Sequence, residues 1–213
     1  MYTGVGDGLS LSSYYFVAFS VLFMVLWGIA GGSLFVKRDV TLPKLLKARG
    51  QGVLGQITAE YLAYLLLMVT VILLFLLPVG FAMQKLGIEI SQWKDAPIAG
   101  VVLFGVQMIP VMILLAALQF FLYELVSDII SGVMLQFLVG CGLGYLSGCI
   151  YPITFFPESI QRISPFLPTR AALQYGIGCM QGELAVKELA IMLFYLLLFL
   201  GLTAGLRERR VRV

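Results

Sequence analysis

The side chains of this 213-residue sequence that can do acid–base or nucleophilic chemistry are few and dispersed. Glu60, Glu124 and Asp128 are carboxylates in or beside apolar runs, and Cys141, Cys149 and Cys179 are the thiols. No histidine occurs, which removes His-based nucleophilic dyads, H-E-x-x-H zinc sites and imidazole proton relays together. The cysteines are odd in number and lack a C-x-x-C pair, so they are read as packing residues, and no metal site is expected. An intramembrane enzyme built on the three acids is an alternative, but no nucleophile motif accompanies them. Glu60 falls about two turns into an apolar run, where a carboxylate is costly unless paired or wetted. It reads either as a functional acid or as a residue that meets water or Arg49 near the membrane surface. Gln107, Gln119 and Gln136 are expected to hydrogen-bond between helices.

The elements that must position these groups follow from composition. The chain is 61% hydrophobic and 12% charged, against roughly a quarter charged for a soluble domain. Its mean hydropathy is +1.01. Lipid therefore solvates most of the surface, and the net charge of +3 is no nucleic-acid signal. A spanning helix needs about 20 apolar residues, and five segments qualify: 13–36, 54–79, 97–123, 129–151 and 187–206. The expected fold is a single all-α transmembrane domain over 1–213, a polytopic membrane protein with five transmembrane helices.

Nine of the 14 Lys and Arg residues lie in two short segments. One holds Lys37, Arg38, Lys44, Lys47 and Arg49; the other holds Arg207, Arg209, Arg210 and Arg212. The positive-inside rule places both in the cytoplasm, which makes the chain multi-pass with a cytoplasmic C-terminus. The N-terminus then falls outside, so either a short tail is translocated or a preceding span is missing. Between the first two spans, Pro43 can open a short amphipathic helix over about 40–49, with Leu42, Leu45 and Leu46 on one side and Gly50 as its stop. Such a helix can anchor on anionic lipid headgroups, or be presented to a groove in a cytoplasmic partner.

Between the last two spans lies a segment that cannot cross a membrane. Pro152, Pro157, Pro165 and Pro168 each remove a backbone donor and halt an α-helix. Two short helices remain, one from Pro157 to about Arg162 and one from Pro168-Thr169 to Gly176 or Gly178. Ile160, Ile163, Phe166 and Leu167 give them an apolar side, so a re-entrant or interfacial outer hairpin over about 152–178 is expected. In the span before it, Gly140, Gly144 and Gly148 recur every four residues, with Gly132 two turns earlier, a small-residue stripe for close helix packing. Gly28 and Gly32 form a weaker version in the first span.

The run L-S-G-C-I-Y-P-I-T-F-F-P-E-S-I-Q-R-I-S-P-F-L-P-T-R-A-A-L resembles the signature of type-2 ABC transporter permeases. Ser147, Gly148, Pro152, Pro157, Ile160, Ile163, Leu167 and Pro168 fill that pattern, and Thr41, Leu42, Leu45 and Leu46 are similar to the family's coupling helix. Two positions depart from it: Asp39-Val40 stands where Glu-x-Gly is common, and Pro43 where Glu is common. The family usually has six spans, so the chain resembles a short form lacking the first. The resemblance implies the membrane subunit of an exporter in the cell membrane, with the hairpin as an outer gate. Its implied partners are a second permease copy or homologue and a separate ATP-binding subunit, besides membrane lipid. No G-x-x-x-x-G-K-[ST] occurs, so the chain binds no cofactor itself and is no enzyme alone; ATP and Mg belong to the partner. A non-transporting truncated or accessory membrane protein is the alternative.

Overall fold

Backbone amides in hydrocarbon find partners only within a helix or a closed barrel, and the described part of this chain takes the helical solution. The computed structural model describes residues 11–31, 52–85, 97–183 and 185–212, and no strand occurs among them. We number the helices α1 (Leu11–Gly31), α2 (Val53–Lys85), α3 (Pro97–Gln107), α4 (Ile109–Glu124), α5 (Ile129–Leu146), α6 (Glu158–Ile163), α7 (Pro168–Gln181) and α8 (Val186–Arg212). Helices α1 and α5, with Leu54–Val79 of α2 and Val186–Arg209 of α8, are long and apolar enough to cross a membrane. That makes four such helices, or five where the bent pair α3–α4 is counted as one broken span. The protein is an all-α polytopic membrane protein. The first span was expected to reach residue 36, and the part beyond Gly31 lies outside the described residues, as does the coupling-like helix with Thr41, Leu42, Leu45 and Leu46.

The third span is not the straight helix expected over 97–123. Its two halves meet at 49° on either side of Met108. Pro110, in the first turn of α4, has no N–H to offer the preceding turn, and its ring crowds the carbonyl four residues back. Tyr175 Oη of α7 donates to the Gln107 carbonyl at the break (3.1 Å), so a neighbouring helix serves a backbone group there. Beyond the bend, α4 is the central pillar of the bundle. It packs against α1, α2, α5, α7 and α8, and residues 114–120 are buried without interruption.

Helix α5 ends at Leu146, five residues before the expected limit of 151. Gly148 adopts φ +91°, in the left-handed region where a side chain is strained. Cys149 N–H bonds the Gly144 carbonyl (3.0 Å) and Gly148 N–H bonds that of Tyr145 (3.2 Å), the paired bonds of a Schellman stop. A Cβ at Gly148 would also lie 3.3 Å from both Arg170 Nη1 and Tyr14 Oη. We expect Gly148→Ala to lower stability by roughly 1–2 kcal/mol, measured as a fall in unfolding midpoint in mild detergent; an unchanged midpoint would show that the turn tolerates other backbone angles.

Of α5 itself, Gly132, Gln136, Gly140 and Gly144 are the buried residues, one stripe at four-residue spacing. Gly140 and Gly144 face α1, where added Cβ atoms would meet Val25 Cγ1 at 3.3 Å and Leu22 Cδ1 at 2.6 Å. Gly132 instead faces Tyr123 of α4. Gly148 lies past the helix, in the turn, and is not part of the packed stripe.

Candidate functional site

The proline-broken segment folds as two limbs of different character. Pro152 precedes a 3₁₀ turn, Pro157 precedes α6, Pro165 lies in a second 3₁₀ turn, and Pro168 opens α7. The first limb is superficial. Phe155, Ile163 and Phe166 are exposed, Ile160 is half-buried, and the Glu158–Arg162 ion pair (3.3 Å) lies on its open face. Apolar points beside exposed charges suit a helix lying in the headgroup boundary.

The second limb turns inward. Helix α7 has 14 residues, a length of about 21 Å at 1.5 Å per residue, short of the ~30 Å hydrocarbon core. It is nonetheless largely buried, against α1, α3, α4 and α8. Gly176 and Gly178, the expected stops, lie within it. A Cβ on Gly176 would meet Val17 Cγ1 at 2.6 Å, so this glycine is a close-approach site facing α1. The helix ends at Gln181, where Gly182 (φ +74°) forms a second Schellman stop: Glu183 N–H to Gly178 (2.9 Å) and Gly182 N–H to Cys179 (3.3 Å).

Polar contacts hold α7 under the end of α5. Ser147 and Thr169, both fully buried, share a short hydroxyl–hydroxyl bond. Arg170 Nη1 donates to the Ser147 carbonyl (3.2 Å), and Tyr14 Oη of α1 donates to that of Gly148 (2.6 Å). Tyr195 Oη of α8 donates to the Phe166 carbonyl. Cys149, sealed in the turn, has its thiol pushed up to about 12 by burial, with the Arg170 charge pulling the other way. Alkylation of Cys149 at neutral pH should therefore be negligible in the folded protein and appear on unfolding, as read by mass spectrometry. Modification at the native rate of an exposed thiol would contradict the sealed turn.

Among the spans, Gln119 of α4 organises a second polar group. Its Nε2 donates to the Met24 and Val25 carbonyls of α1 (2.7 and 3.0 Å), and its Oε1 accepts from Tyr64 Oη of α2. Gln136 Nε2 of α5 donates to the Gln119 carbonyl (2.7 Å), and Tyr123 Oη donates to Gly28 (3.0 Å). A Cβ at Gly28 would lie 2.7 Å from Gln136 Oε1. Four spans thus meet on Gln119, and Gly28 lets them approach. Gln119 and Gln136 link helices as expected. Gln107 does so only through its carbonyl, because its side chain is exposed.

Opposite the hairpin, Arg207 of α8 gathers the acids. Arg207 Nη1 lies 2.7 Å from Glu60 Oε2 of α2, Nη2 pairs with Glu124 Oε1 of α4, and the guanidinium covers the Phe120 ring at 5.4 Å. Arg207 is 3% exposed. Glu60 is thus paired with Arg207 from the far end of the chain, while Arg49, the contact expected for it, lies outside the described residues. The signal for it was available: two acids in apolar helices require a cation, and Arg207 is the first one beyond the last apolar run. Asp128 does a different task, accepting from Ser131 N–H (2.9 Å) as the N-cap of α5.

The ion cluster joins the start of α2 to the ends of α4 and α8, while the hairpin lies at the start of α1 and the end of α5. Successive spans thus alternate in direction. Between α1 and α2 is an apolar cavity of about 560 Å³, lined by Tyr15, Phe19, Phe23, Phe75, Leu76 and Val79 among others. Phe23 and Phe75 stack across it at 4.1 Å. Among the described residues no His, Cys, Asp or Glu cluster is placed to hold a metal ion. No protein-family model, curated protein or solved structure matches the chain.

Proposed function

We propose that the chain is the membrane-spanning permease subunit of an ATP-driven ABC exporter, lying in the cell membrane with its C-terminus in the cytoplasm. The observation that carries this reading is the hairpin: a proline-broken segment whose first limb is largely exposed and whose second limb, α7, is folded back among the spans. A short helix of that kind, hung from a glycine turn and fastened by side-chain hydroxyls, suits a gate at one end of a transport path. Gly148, Pro152, Pro157, Ile160, Ile163, Leu167 and Pro168 are its gate residues. Cargo would pass between this subunit and a second copy or homologue, with ATP and Mg bound by a separate subunit that docks on Thr41, Leu42, Leu45 and Leu46.

The carboxylates favour transport over intramembrane catalysis, since Glu60 and Glu124 are engaged by Arg207 and Asp128 caps a helix. An ATP-binding protein is expected to co-purify with the chain in mild detergent. Leu45→Glu, which places a charge on the docking face, should reduce its recovery about tenfold, the effect of roughly 1.4 kcal/mol. Purification of the chain alone, with transport unaffected in Leu45→Glu, would exclude the coupling role.

A further inference from the structure

The hairpin end of α8 carries two concave surfaces that meet at one lysine. On one side is a polar hollow of about 580 Å³ between the end of α7 and the start of α8, whose walls include Gln174, Gln181, Glu183, Lys187 and Glu188. On the other side is an apolar groove of about 540 Å³, lined by Pro165, Phe166, Ala190, Ile191, Phe194 and Tyr195, again with Lys187 at its edge. Each volume lies in the range of small-ligand sites. Lys187 is exposed and forms no ion pair among the described residues, although Glu183 and Glu188 line the same hollow. It is the second residue of the last span, the level at which a lysine in a membrane meets phosphate headgroups. The groove continues from it along the hydrocarbon-facing side of α8, where Phe194 is 63% exposed, and Phe166 at its rim is 73% exposed.

We propose that this is a specific phospholipid site for a zwitterionic headgroup that ends in a primary ammonium. The phosphate pairs with Lys187, the ammonium donates to the Glu183 and Glu188 carboxylates, and one acyl chain lies in the Phe166–Phe194–Tyr195 groove. Charge complementarity selects this occupant. The hollow presents one cation and two carboxylates, which match a phosphate and an ammonium together and leave an anionic headgroup facing the surplus acid. A quaternary ammonium has no N–H to donate to the carboxylates. The site does not rest on the permease reading, and its test involves no transport.

The test uses the full chain carrying Phe194→Trp, reconstituted in phosphatidylcholine vesicles. These contain a minor, equal fraction of brominated phosphatidylethanolamine, phosphatidylglycerol or phosphatidylcholine. Quenching is read as the excess over the same chain with Phe194 intact. The ethanolamine lipid should be enriched around the introduced indole by roughly two- to fivefold over the choline lipid, the worth of one exposed ion pair. Lys187→Ala should abolish the enrichment while Lys187→Arg keeps it, and Glu183→Gln with Glu188→Gln should remove the preference over phosphatidylglycerol. Equal quenching by all three lipids, stronger quenching by phosphatidylglycerol, or an unchanged pattern in Lys187→Ala would overturn the assignment.

Discussion

Arg207→Ala should be among the most damaging single substitutions in the chain, costing about 3–5 kcal/mol, because it takes the guanidinium away from the buried Glu124 carboxylate and from Glu60. Glu124 is 8% exposed, so water cannot readily replace the guanidinium there, while the Glu60 side chain, 27% exposed, is partly wetted and loses less. The contact with Phe120 adds packing that alanine also removes. The control is the triple substitution Arg207→Met, Glu60→Gln, Glu124→Gln, which removes every charge at once. It should recover most of the loss, since the damage comes from an unpaired charge more than from a missing attraction. Unfolding midpoints in mild detergent distinguish the cases. If Arg207→Ala unfolds like the parent, the cluster is not what ties α8 to α2 and α4.

Gln119→Leu should have the second largest effect, through the groups it leaves behind. The substitution removes the Gln119 Oε1 acceptor from Tyr64 Oη, and with it go two bonds to α1 carbonyls. Three buried hydrogen bonds are lost together, at about 0.5–1.5 kcal/mol each. The Met24 and Val25 carbonyls also belong to a helix and suffer less, because each accepts a second bond here besides that of its own ladder. Tyr64→Phe alone should cost less than Gln119→Leu, and the double variant should cost clearly less than the two added together. That shortfall, measured as a double-mutant cycle, reports the coupling across α2 and α4. Strict additivity would mean that the Tyr64–Gln119 bond contributes nothing to stability.

Membrane character and helical class were legible because they depend on composition and run length, which lipid enforces on every backbone amide. The second apolar run, 54–79, was read by that criterion alone, and the helix that holds it, α2, continues past it to Lys85. The prolines of the hairpin likewise declared two short helices, since a missing N–H acts locally wherever it falls. Pro110 carries the same local signal and bends the third span, but a long apolar run hides it: run length says nothing about direction within the membrane. The glycine stripe of α5 was visible as a spacing, but its partner was not. That α1 receives Gly140 and Gly144 while Tyr123 of α4 covers Gly132 is a matter of how helices cross.

The sequence by itself determined an all-α membrane bundle, its alternating spans and a proline-broken hairpin, because each follows from local backbone chemistry and the thickness of a bilayer. Only the tertiary structure decided which polar groups meet. Arg207 stands 147 residues from Glu60 and 83 from Glu124, and Gln119 reaches carbonyls 94 and 95 residues away. A charge inside a span states in the sequence that it needs a counter-charge. Which one it finds depends on the order and tilt of the helices around α4, and helix order is set by side-chain packing summed over the whole bundle.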